Sequence, residues 1–106
     1  MNREDIIRDL SRDTGLRYYE CDRMLDSLVD IIWDGLKRGE EVRISRLGVF
    51  HIRYTESKKR YNLNKRQVED VPSENYISFR FSEKERAKAT RALNESIRRG
   101  DINFWQ

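Results

Sequence analysis

Between residues 53 and 66 the sequence reads RYTESKKRYNLNKR, six basic side chains and two tyrosines against the single acid Glu56. Lysine and arginine at this density suit a polyanion, because cations laid near phosphates release condensed counterions. A solvated surface loop is the alternative on charge alone. Little else in the chain could do chemistry. One cysteine and one histidine exclude a disulfide framework and a Cys/His zinc site. Cys21 lies on an apolar helical stripe and reads as a small core residue rather than a reactive thiol. His51 stands on a strand with no cysteine or second histidine nearby. There is no glycine-rich phosphate loop, nucleophile–base spacing or paired-carboxylate site. The reading is a non-enzyme with no metal, no cofactor and no small-molecule substrate.

The elements that carry the basic segment belong to a short chain of 106 residues, one domain by length. Charged residues make up 39% and hydrophobic ones 37%, and a monomer of this size buries only about 60–65% of its unfolded surface. A core drawn from so few apolar residues is marginal, so a second chain is expected to complete it. The longest uncharged apolar run is Ile31–Trp33, too short for a transmembrane helix or a secretory signal. A soluble intracellular protein with no membrane partner is expected. The net charge of +3 is strongly segregated: residues 1–40 hold 7 basic and 10 acidic side chains, and residues 53–66 carry a balance of +5. Residues 67–79 return to −3, and residues 80–106 hold 7 basic against 4 acidic.

Asn2 can cap a first helix with an acidic first turn (Glu4, Asp5) and an Ile6, Ile7, Leu10 stripe, stopped at Thr14-Gly15. A second helix is expected from Arg17 to Arg38, its stripe built from Cys21, Leu25, Leu28, Ile32 and Leu36. Met24, Ile31 and Trp33 make it wider than one short helix can cover. The period then drops to two. Glu41–Ser45 alternates, Arg46-Leu47-Gly48 turns, and Val49–Tyr54 alternates with Phe50, Ile52 and Tyr54 on one face. Asn75–Phe81 is a third alternating strand with Ile77, Phe79 and Phe81 on one face. Ser82-Glu-Lys-Glu85 fits a capping box opening a last helix to about Arg99, ended by Gly100. The nineteen residues from Ser57 to Asn75 are too long and too polar for an ordinary loop. If the flanking strands continue, they form a two-stranded ribbon with its tip near residues 62–66. The order is ααβββα, an α+β domain over residues 1–99 with an arm at about 55–75 and a tail at 100–106.

The residues Met1-Asn-Arg, Gly15-Leu16, Leu36-Lys-Arg-Gly-Glu-Glu-Val-Arg-Ile44, Leu47-Gly-Val-Phe50, Lys58-Lys59, Asn62, Pro72 and Phe79-Arg80 occur in an order and spacing that resembles the HU/IHF family of bacterial and phage DNA-bending proteins. The match runs over about residues 1–94. The resemblance implies an intertwined homodimer, with a heterodimer with another HU/IHF-like chain as the variant. Its core would include Leu25, Leu28, Val29, Ile32, Phe50 and Phe79. It implies double-stranded DNA as partner, held in the minor groove by two ribbon arms and bent or compacted with low sequence specificity. Location in the cytoplasm, on the nucleoid, follows from the same resemblance. By position, Asn62, Lys58 and Lys59 match arm residues, Arg53 and Arg80 match basic positions at the arm base and third strand, and Arg3 matches an N-terminal cation near phosphates. Arg46, Arg60, Tyr61, Lys65, Arg66, Lys84 and Arg86 complete the expected DNA-binding set.

The tip departs from the family's Arg-Asn-Pro, reading Tyr61-Asn62-Leu63. Leu63 is either the wedge inserted between base pairs or a contact within the arm, and Tyr61 either stacks or favours strand backbone. Without proline's fixed φ the tip is expected to be less preorganised and the kink weaker. Arg66 replaces a turn glycine, Thr55 an arm arginine, and Phe81-Ser82-Glu83 a Pro-Gly-Lys. These departures, with Phe104-Trp105 in the tail, motivate a second reading: an interaction or assembly protein of the same fold with weakened DNA binding.

Overall fold

The computed structural model describes residues 1–103 and divides into two compact units, Met1–Gly39 and the chain from Glu40 onward. The first unit holds α1 (Arg3–Thr14) and α2 (Tyr18–Lys37). Asn2 and Asp5 form a reciprocal capping box: the Asn2 Oδ1 accepts from the Asp5 N–H at 3.1 Å, and the Asn2 N–H donates to Asp5 at 3.0 Å. This satisfies two donors that a helix start otherwise leaves unpaired. Gly15, with φ at 74°, ends α1 in the left-handed conformation. Ile7, Cys21 and Leu36 are buried, as the helical stripes require. Met24, Leu28, Val29, Ile31 and Trp33 on α2 stay substantially exposed.

The second unit contains β1 (Val42–Ile44), β2 (Gly48–Thr55), β3 (Lys58–Asn62), β4 (Gln67–Val71), β5 (Glu74–Phe81) and α3 (Glu83–Arg99). Strands β1, β2 and β5 form an antiparallel sheet in that order. The register pairs Phe50 with Phe79 and Ile52 with Ile77, so the apolar residues expected on one face do share it. The Phe50 and Phe79 rings lie 4.6 Å apart, and Phe81 meets Phe79 edge-on at 4.8 Å. At Gly48 a side chain is impossible without movement, because a Cβ there would sit 2.2 Å from the Arg80 carbonyl oxygen.

Two expectations are corrected. The arm is not a continuation of the flanking strands. Residues 56–57 and 72–73 interrupt them, and β3 and β4 form a separate two-stranded sheet, giving five strands rather than three. Pro72 has no N–H to donate to a ladder, which is one reason the pairing breaks there. The capping box at Ser82 is also absent: its side chain makes no cap bond. The acids of that turn face arginines instead, Glu83 with Arg86 at 2.8 Å and Glu85 with Arg46 at 3.8 Å. Helix α3 buries none of its residues and ends at Gly100. Phe104 and Trp105 lie outside the described residues.

Candidate nucleic-acid interface

The basic segment becomes one strand of the ribbon. Lys58 pairs with Val71, Lys59 with Asp70, Arg60 with Glu69, Tyr61 with Val68 and Asn62 with Gln67. Alternation along the strands places Lys59, Tyr61, Val68 and Asp70 on one face and Lys58, Arg60, Asn62 and Glu69 on the other. The register changes the charge reading. Residues 58–71 carry five basic side chains and two acids, and both acids stand directly across from cations. The balance of +5 over residues 53–66 therefore overstates the arm, whose own excess is three positive charges.

Four residues, 63–66, close the ribbon. Leu63 is 80% exposed at the tip. Asn62 turns inward: its Oδ1 accepts from the Asn64 N–H at 2.9 Å and the Lys65 N–H at 3.2 Å, and its Nδ2 donates to Glu69 at 3.1 Å. Lys65 lies 3.3 Å from the same Glu69 carboxylate oxygen. Arg66 takes φ of 51°, the left-handed conformation for which glycine is the usual residue. Sequence position suggested that Asn62 touches DNA; among the described residues its side chain bonds to Asn64 and Lys65 in the turn and to Glu69 across the ribbon.

On the β2–β5 sheet, Val49↔Arg80, His51↔Ser78 and Arg53↔Tyr76 alternate with the phenylalanine pairs, so Arg53 and Arg80 share the face opposite Phe50 and Phe79. The Nδ1 of His51 is buried there and has no hydrogen-bond partner among the described residues. The Tyr76 hydroxyl donates to Glu74, and this bond raises the phenol above its ordinary value. Arg46, at φ of 72°, is highly exposed in the β1–β2 turn. It borders a shallow cleft with Arg43, Arg80 and Glu83. Lys84 is exposed on the first turn of α3. Arg86 is held by Glu83, whose carboxyl lies below the usual glutamate range because of the hydrogen bond from Arg86. Arg3, in the helical unit, is clasped by Asp22 and Asp26, both at 2.8 Å, and its hydrogen bond to Asp22 is the main cause of its raised basicity.

The ribbon thus gathers Lys58, Lys59, Arg60, Tyr61, Leu63, Lys65 and Arg66, and the turn and sheet bring Arg46 and Arg80 to one cleft. Arg3 and Arg86 each pair with neighbouring carboxylates in exposed ion pairs. Sequence reasoning missed Arg43, although its outward position in the alternating Glu41–Ser45 run was a usable signal. It also missed Glu69, for which no local signal exists. Of the residues expected in a dimer core, Leu25, Ile32, Phe50 and Phe79 are half-buried, and Leu28 and Val29 are exposed.

Residues 1–90 match the family described as bacterial DNA-binding protein. The chain belongs to this family. Among its relatives, the integration host factor subunit alpha of Caulobacter sp. (strain K31) is 26% identical over 93 residues, covering 88% of this chain and 93% of the relative. The corresponding subunit of Paracoccus denitrificans is 33% identical over 84 residues, covering 77% and 80%. The fold is similar to that of Anabaena HU in a cocrystal with DNA (TM-score 0.66, 17% identity, 84% of this chain and 97% of that one). An HU mutant from Thermotoga maritima gives a TM-score of 0.61 at 18% identity, over 84% and 99%. The chain is an architectural DNA-binding protein with the α+β HU/IHF fold, and not an enzyme.

Proposed function

We propose that two copies of this chain form an intertwined dimer that binds double-stranded DNA with little sequence preference and bends it. The two β3–β4 arms lie in the minor groove, where A·T and T·A pairs present the same acceptors and base readout is poor. Lys58, Lys59 and Arg60 neutralise phosphates along the arm, with Arg66 beside the tip. Leu63 is the wedge, in keeping with the apolar residues that unstack base steps in other minor-groove binders. Arg43, Arg46, Arg53, Arg80 and Lys84 take up the flanking duplex once it is kinked. The observation that carries this reading is the ribbon itself, a basic strand ending in a solvent-exposed leucine on a closed turn. Action on the nucleoid, in the cytoplasm, follows from the same reading.

Titration of linear, nicked and four-way-junction duplexes at moderate salt tests it, with oligomeric state measured on the same sample. Binding by a dimer, tighter on nicked and junction DNA because these cost less to deform, is the expected result. Absence of binding by the purified dimer to all three overturns it.

A further inference from the structure

We infer that Glu69 is a positioning residue for the arm tip: its carboxylate, fastened to Asn62 and Lys65, holds the turn that presents Leu63. The inference rests on the reading of Leu63 as the wedge. The turn 63–66 contains neither proline nor glycine, so nothing covalent restricts its backbone, and Arg66 must hold a left-handed conformation unfavourable to a side chain. Something else has to keep it closed. The Asn62 amide oxygen accepts from the Asn64 and Lys65 N–H groups, at 2.9 and 3.2 Å, as an Asx-turn does. With the amide so oriented, its nitrogen donates to Glu69 at 3.1 Å. The same carboxylate oxygen draws the Lys65 ammonium to 3.3 Å, fixing the far side of the turn. Glu69 is half-buried on the strand that returns from the tip. An acid in a DNA-binding arm works against phosphate contact, and this network supplies the reason for one. The preorganisation that the tip sequence seemed to have lost is restored by side chains.

Charge and position pull in opposite directions here, which makes the inference testable. A Glu69→Ala variant removes one negative charge per arm, so a merely electrostatic role predicts tighter binding with the bend intact. A positioning role predicts a reduced bend without loss of affinity. The experiment measures both, with a duplex labelled at its two ends for energy transfer, on the wild type and on Glu69→Ala, Glu69→Gln and Leu63→Ala. The expected result is a Glu69→Ala bend at least halfway toward that of Leu63→Ala, with affinity within about twofold of wild type or tighter. Glu69→Gln retains most of the bend, since its amide oxygen still accepts from Asn62. A wild-type bend in Glu69→Ala alongside a lost bend in Leu63→Ala overturns this inference alone. A wild-type bend in Leu63→Ala overturns the wedge reading and the inference together. Circular dichroism melts of each variant establish that the body is folded.

Discussion

Replacing Lys58, Lys59 and Arg60 together by alanine puts the arm's electrostatics to a quantitative test. Residues 58–71 carry five cations and two acids, and the substitution leaves Lys65 and Arg66 against Glu69 and Asp70. The arm's excess falls from three positive charges to none. A dimer presents two arms, so about six phosphate neutralisations are lost at roughly 0.9 units each in the slope of log K against log salt. The wild-type arms should contribute a slope of about −5, equivalent to an affinity loss on the order of 10³ between 50 and 200 mM salt. The variant should keep only the contribution of the body's arginines and Lys84. Fluorescence anisotropy on unrelated duplex sequences across that salt range is the assay, and the loss should be similar on every sequence because phosphates carry none. Had the count stopped at the basic strand, the expected wild-type slope would be steeper, with the same change on substitution. A variant whose slope changes by less than about 2 refutes the assignment of phosphate binding to β3.

A Gly48→Ala variant should be destabilised by about 3 kcal/mol, since a methyl group would overlap the Arg80 carbonyl oxygen at 2.2 Å and prise β2 from β5. The expected fall in Tm is of order 10 °C or more in a circular dichroism melt, and a fall below about 3 °C would count against the close approach. Glu83→Gln should remove the charge that neutralises Arg86 and steepen the salt slope by about one unit per chain; weaker DNA binding would contradict this. The Glu83 carboxyl is held below the usual glutamate range by Arg86, so its pairing is intact above that range and is lost only as pH falls through the depressed value. The effect of Glu83→Gln should therefore be the same from pH 6 to pH 8, and a change across that interval would exclude the pair as its source. Finally, Tm should fall on tenfold dilution, because the folded dimer is stabilised by mass action, and a concentration-independent Tm would argue against a shared core.

What the sequence made legible was local chemistry. Asn2 with Asp5, Gly15 and Gly100 act within a turn of where they stand, and their caps formed where the residue types pointed. The alternation of Val49–Tyr54 and Asn75–Phe81 located β2, β5 and their shared aromatic face for the same reason. The misreadings were non-local. Ser82 and Glu85 have the spacing of a capping box, but Arg46, distant in sequence, lies beside Glu85. Which acids oppose Lys59 and Arg60 depends on the length of the turn at 63–66, because one residue more or less would shift every cross-strand pair. For that reason neither the partial neutralisation of the arm nor the role of Glu69 could be read along the chain.

The same distinction separates the two meanings of a low apolar fraction. Among the described residues, only Ile7, Cys21, Leu36 and Val49 are buried hydrophobic side chains in the single chain. Meanwhile Met24, Leu28, Val29, Ile31 and Trp33 on α2, with Ile77 and Phe81 on β5, remain 40–59% exposed. Completing the burial of each such side chain is worth roughly 1 kcal/mol, about half of the transfer value for a full large apolar residue. Were a second copy to cover all seven, the gross gain would be about 7 kcal/mol per protomer, comparable to the entire net stability of a small domain. A monomer forgoes that gain while still meeting the entropy of ordering its helices and strands. Dimerisation is then part of folding, and the two arms arrive at the duplex as a fixed pair. On the proposed reading of Leu63, two wedges held by one core act on the same duplex, and the cost of unstacking at each is offset by the phosphates that the bent duplex brings against the protein on both sides.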